Sequence, residues 1–296
     1  MNSISDEKSC ETDGIVNAIT VDVEDYYQVS AFSKQVNKSR WSEYESRVER
    51  NTQRILEIFN AHNVKGTFFV LGWTAERYPK LIREISENGH EVASHGYSHD
   101  LVYHQTPETF TEETKRSKAT VEQITGKQIL GYRAASYSIT QKSIWAMDIL
   151  VELGFKYDSS IFPIMHDRYG IPGAKTKPHH FITEKGNSII EFPLSTVAIA
   201  KTRFPVSGGG YFRLLPYWLT RKGLKNINQR DELPFIFYMH PWEIDKDQPR
   251  IKSSLLSQFR HYNNLGKFES RLNNLLEEFK FASVEDVLTR SGLYLL

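Results

Sequence analysis

A chain of 296 residues with 40% hydrophobic and 25% charged side chains has globular composition, which excludes extensive disorder. Its 37 basic and 36 acidic residues leave a net charge of +1, so there is no overall electrostatic drive toward nucleic acid or an anionic membrane. The single cysteine, Cys10, excludes an internal disulfide and a cysteine-built zinc site.

Residues 1–14 are polar, without the apolar core of a signal peptide, and read as a tail before a single domain over 15–296. With no run near the roughly 18 apolar residues of a membrane span, a cytoplasmic protein without a transmembrane segment is expected. Residues 16–22 read as a buried strand. Residues 43–62 place Val48, Ile55, Leu56 and Phe59 on one helical face. Strands are predicted at 66–72, 90–94, 129–133, 155–158, 188–192 and 234–239. Helices between them open at Pro79, at Thr106-Pro107 and at Thr140, and close at Gly89, Gly126 and Gly154. This alternation predicts a parallel β/α architecture, either a barrel or an open sheet. Residues 166–188 and 201–213 break the alternation and read as long loops. In the second, the run GGGYFR lacks dinucleotide spacing. It can let a backbone approach a ligand, with Tyr211 and Phe212 as stacking surfaces for a sugar ring.

Ionisable residues gather at the carboxyl ends of the predicted strands, where parallel β/α folds assemble their sites. The first strand ends in Asp22, with Glu24 and Asp25 beyond; later strands lead into His95 and His99, Arg133, Asp158 and His240. His95 and His99 are four apart, which on a helical turn puts two imidazoles on one side. With a nearby carboxylate they form a three-ligand divalent-metal site with an open position. Strand alternation puts Asp22 and Glu24 on one face and Asp25 on the other unless the strand end twists, and one of these carboxylates can bind the metal. A second carboxylate is then free to act as general base, and His240 can donate a proton to a leaving group.

Together these motifs resemble the NodB-type polysaccharide deacetylases, carbohydrate esterase family 4, over most of residues 16–290. TVDVED is similar to the family's first motif, His95-Gly-Tyr-Ser-His99 to its second, Arg133-Ala-Ala-Ser-Tyr137 to its third, and the segment ending at His240 to its fifth. The stretches YDSSIFP, GGGYFR and MHPWEID resemble the subfamily linked to exosortase (PEP-CTERM) exopolysaccharide loci. The resemblance implies a distorted (β/α) barrel and metal-dependent removal of acetyl from an N-acetylated glycan or lipid-linked saccharide. One divalent ion is implied, Zn²⁺ first, with Co²⁺, Ni²⁺ or Mn²⁺ as alternatives. Carried over, Asp22 is the base, Arg133 orients it, His240 is the acid, and His95, His99 and Glu24 or Asp25 hold the metal. Tyr137, Asp158, Tyr211, Arg213 and Trp242 are expected to line the substrate site. The departure in the first motif keeps open a metal-free C–N amidohydrolase of the same fold, and a second alternative, of a different class, is a catalytically inactive sugar-binding protein.

Overall fold

The computed structural model describes residues 14–166, 168–199 and 202–294; the predicted tail, apart from Gly14, lies outside them. The chain begins with strand β1 (Val16–Val23), helix α1 (Val48–Ala61), β2 (Thr67–Val70), α2 (Gly72–Arg77), α3 (Pro79–Glu87) and β3 (Glu91–Ser94). It continues through α4 (Pro107–Thr125), β4 (Gly131–Tyr132), α5 (Ala146–Glu152), β5 (Tyr157–Asp158), β6 (His179–Ile182) and β7 (Ser188–Glu191). Then come β8 (Thr196–Ile199), β9 (Thr202–Pro205), α6 (Gly209–Leu214), α7 (Tyr217–Gln229) and β10 (Ile236–Met239). Helices α8 (Leu255–Tyr262) and α9 (Phe268–Glu278), strand β11 (Lys280–Ala282) and α10 (Val284–Arg290) complete it.

Strands β10, β1, β2, β3, β4, β5 and β7 form one parallel ladder, with β6 added antiparallel at its far edge and β11 pairing with the start of β1. Among the described residues the ladder does not close between its two ends. This is the expected α/β class, a parallel β/α array. Alternate faces of β1 explain why all of it beyond Val16 is buried: Ile19, Val21 and Val23 join the core under the helices, while Ala18 packs in the inner cluster with Phe69 and Tyr238.

Helix boundaries follow local chemistry. Thr106 and Thr109 form a capping box, Pro107 opens α4, and Gly126 closes it at φ 67°. Helix α1 starts at Val48, later than the pattern at 43–62 predicts, because residues 46–48 turn their donors toward Asp25. The two predicted loops are corrected. Residues 179–182 are strand β6, and 202–214 hold β9 and α6. Both strands are half-exposed, so the dense apolar run that marks a buried strand is missing.

The glycine run is likewise explained from within the protein. Gly208 has φ 138°, and a Cβ there would lie 2.0 Å from the Tyr238 carbonyl oxygen, so the close approach is to β10 rather than to a ligand. Phe212 is fully buried against Phe237 and Phe268, which removes it as a stacking surface.

Candidate active site

Glu24, His95 and His99 converge at the carboxyl ends of β1 and β3, each buried, with one ligand atom apiece lying within 4.8 Å of the others. The histidine pair is not on a helical turn. It sits on a bend in which Gly96 and His99 both take positive φ, and this brings the ring centroids to 5.4 Å. His95 Nδ1 donates to the Arg133 carbonyl oxygen at 2.8 Å, so its Nε2 keeps a free lone pair. Glu24 Oε2 is buried without a hydrogen-bond donor, although His99 Nε2 lies 2.9 Å away. Two imidazoles and an otherwise unsatisfied carboxylate oxygen are the donor set of a divalent cation such as zinc. Electrostatics agree. Burial alone would raise the Glu24 carboxyl, but His99 first, then His240 and His95, hold it down at about 2. Burial keeps His95 neutral by pushing it to about 4.

Asp25 lies on the opposite face of the strand end. Its Oδ2 accepts from Ser46 Oγ, Arg47 N and Val48 N, and its Oδ1 from Tyr26 N. The alternative in which Asp25 binds metal is therefore corrected: the carboxylate caps the start of α1.

Asp22 stands beside the cluster and is held by Arg133, whose Nη1 reaches Asp22 Oδ1 at 2.7 Å. That guanidinium is fixed in turn by Thr20 Oγ1, the Ser159 carbonyl and Ser159 Oγ, and it lies over the Phe69 ring at 4.1 Å. The second carboxylate oxygen, Oδ2, faces His240 Nε2 at 3.9 Å. His240, at the end of β10, is the most exposed of these groups, with 18% of its side chain open. Its Nδ1 pairs with Glu243 Oε2 at 3.0 Å, and Glu243 Oε1 accepts from Arg213 Nε at 2.7 Å. Burial alone would lower the imidazole, but the Glu243 hydrogen bond and the charges of Glu24, Glu243 and Asp22 outweigh it and raise it to about 9. At neutral pH this histidine carries a proton on Nε2 that it can give away.

The residues expected to line the substrate site divide. Tyr137 turns on a positive φ beside Arg133, and its buried hydroxyl has no hydrogen-bond partner. Trp242 stacks on His240 at 5.1 Å and donates from Nε1 to Glu24 Oε1 at 3.3 Å, so it steadies both the acid and a metal ligand. Tyr211 is half-buried on α6. Two expectations are corrected. Arg213 is buried, with its donors committed to Glu243 and to the carbonyls of Arg260, His261 and Asn263. Asp158 is buried on β5 and accepts from Ser160 N and Oγ, which shapes the turn that clamps Arg133. Glu243, Ser159 and Thr20 were not foreseen. Only Glu243 left a signal: an acid three residues after His240 in HPWE forms a capping box around a histidine.

A family profile for polysaccharide deacetylases matches residues 34–157. A second profile, for a domain of unknown function (DUF3473), matches residues 159–289. The site takes His95, His99 and Arg133 from the first matched segment and His240, Glu243 and Arg213 from the second. Asp22 and Glu24 precede both. The chain is 29% identical over 116 residues to a peptidoglycan deacetylase of Helicobacter pylori, covering 39% of this chain and 38% of that protein. It is 28% identical over 99 residues to a chitooligosaccharide deacetylase of Bradyrhizobium, covering 33% and 43%. It thus spans less than half the length of these relatives. Among solved structures, a chain named as a candidate polysaccharide deacetylase from Mycobacterium smegmatis superposes with a TM-score of 0.62 at 20% identity, covering 94% of this chain and 91% of that one. An allantoinase superposes with a TM-score of 0.60 at 14% identity, covering 95% and 92%. Both share the fold.

Proposed function

We propose that the protein is a divalent-metal-dependent amidohydrolase that removes acetyl from an N-acetylated amino sugar during exopolysaccharide synthesis. The observation that carries this reading is the buried Glu24–His95–His99 cluster, flanked by a carboxylate held by Arg133 and a histidine held by Glu243. The glycan substrate is supported by the names of the relatives, and the exopolysaccharide setting by the resemblance of YDSSIFP, GGGYFR and MHPWEID. Glu24, His95 and His99 would hold the ion, Zn²⁺ first. Its chemistry in such a pocket is Lewis-acid polarisation of the amide carbonyl and acidification of water.

The chain's own residues supply the proton transfers. Asp22 Oδ2, in a carboxylate that Arg133 orients through Oδ1, accepts the proton of the attacking water. His240 Nε2 donates its proton to the amine nitrogen as the C–N bond breaks, leaving acetate and a free amino sugar. A cleft of about 570 Å³ opens beside His99, lined by Tyr27, Trp41, Leu101 and His104 among others, and gives the glycan room.

The deciding measurement is acetate release from a panel of N-acetylated glycans, with and without chelator. Release that stops with chelator and returns with Zn²⁺ is expected. Chelator-insensitive release would instead mark a metal-free amidohydrolase, and glycan binding without release a sugar-binding protein.

A further inference from the structure

Helix α8 exposes the side it would be expected to bury. Leu255 is 87% exposed, Leu256 58% and Phe259 56%, and their spacing places them on one stripe. The helix is anchored instead by polar groups on its other side. His261 is buried, bonds Gln248 through Nε2 at 2.8 Å and stacks on Trp242 at 4.0 Å. The carbonyls of Arg260 and His261 accept from Arg213. Among the described residues nothing covers the apolar stripe.

The chain segment that carries that stripe is one-signed in charge. Residues 248–268 hold Arg250, Lys252, Arg260 and Lys267 and no acid, while the rest of the chain is net negative. Among the described residues none of the four forms an ion pair, and all four are exposed; Arg250 rests over the Tyr262 ring. Apolar side chains rimmed by unpaired cations are the chemistry of a helix lying in the interface of an anionic membrane. The apolar stripe enters the acyl boundary and the cations meet the headgroups. A soluble protein partner would also cover leucines, but the acid-free rim selects a densely anionic surface.

We infer that α8 and its flanking residues form a docking surface for an anionic lipid bilayer. The surface stands one ring layer from the site: His261 stacks on Trp242, which stacks on His240 at 5.1 Å. Docking there sets His240 and the cleft beside the lipid headgroups, where a membrane-borne saccharide would be presented. The inference stands independently of the proposed deacetylation, because it is read by binding alone.

The test is co-sedimentation of the full chain with vesicles of phosphatidylcholine, alone or mixed with phosphatidylglycerol. Binding is expected to the mixed vesicles only, and to weaken with salt. Lys252→Gln and Arg260→Gln should each lower it about fivefold, the worth of one cation near an anionic surface. Leu255→Ser combined with Phe259→Ser should abolish it while leaving circular dichroism and acetate release from a soluble glycan unchanged. Equal binding by these variants, or no binding by the native chain, overturns the inference. So does concentration-dependent self-association lost in the Leu255/Phe259 variant without any vesicle binding, which would assign the stripe to a second copy of the chain.

Discussion

Asp22, Glu24 and Asp25 are near neighbours in sequence with three different surroundings. Asp22 meets a guanidinium, Glu24 two imidazoles, and Asp25 the first turn of α1. Glu24→Ala should therefore remove tight metal binding with little loss of fold, as read by metal analysis of the purified protein. Asp25→Ala should keep the metal but lose roughly 2–3 kcal/mol in urea unfolding, because it strips a helix start of its cap and leaves buried donors unmet. The opposite ordering in metal content would return the ligand role to Asp25. Asp22→Asn keeps the shape and the contact with Arg133 but loses the basic oxygen. It should retain metal and release acetate about 10²–10⁴-fold more slowly, the usual worth of general acid–base catalysis. Near-normal turnover would show that another group takes the proton.

At the scale of elements, the late part of the chain is organised around one ion pair. Helix α6 brings Arg213, and the turn after β10 brings Glu243, with both side chains fully enclosed. Removing Arg213 leaves the buried Glu243 carboxylate with His240 as its remaining partner, and breaking a buried pair typically costs about 3–5 kcal/mol. Arg213→Met should show that loss in urea unfolding. Adding Glu243→Gln to it should recover part of the stability, since the carboxylate that lost its arginine is then gone, while His240 loses its charged partner and acetate release stays low. A double variant no more stable than Arg213→Met would mean that packing, rather than charge, dominates the site.

At the scale of the whole molecule, the last helix is tied to the sheet at the end of the strands opposite the active site. Glu91, at the start of β3, accepts from Thr67 Oγ1, Tyr157 hydroxyl and Glu285 N, so it joins the sheet to the first turn of α10. Burial outweighs these bonds and raises its carboxyl to about 7. With the folded value above the unfolded one, its contribution to stability is complete below about pH 4.5 and is lost as pH rises through about 7. The neighbouring His90 works the other way. Burial first, then Lys65, lowers it to about 4, so its contribution is complete above about pH 6.5 and is lost as pH falls through about 4. The two slopes oppose each other in the native chain. Glu91→Gln should leave the His90 slope exposed, and its unfolding free energy should gain on the native protein's as pH rises from 4.5 to 7. Parallel curves for the two proteins would remove Glu91 from this account.

What the sequence by itself determined was local in origin. Alternating apolar runs, proline and glycine punctuation and the polar strand ends were sufficient for the α/β class and for bringing Asp22, His95, His99, Arg133 and His240 to one end of a parallel sheet. Strand alternation already separated Glu24 from Asp25. Tertiary structure decided what depends on distant partners. The GGG run serves the approach of Gly208 to Tyr238, and Arg213 faces Glu243 rather than a sugar, because β10 and α6 meet only in the folded chain. The half-exposed strands β6 and β9 carry no buried apolar run, so their pattern was silent until neighbouring strands paired with them. The histidine pair was legible as a pair, but the bend that joins it rests on positive φ at Gly96 and His99. A backbone of that kind is stable only where surrounding contacts hold it in place.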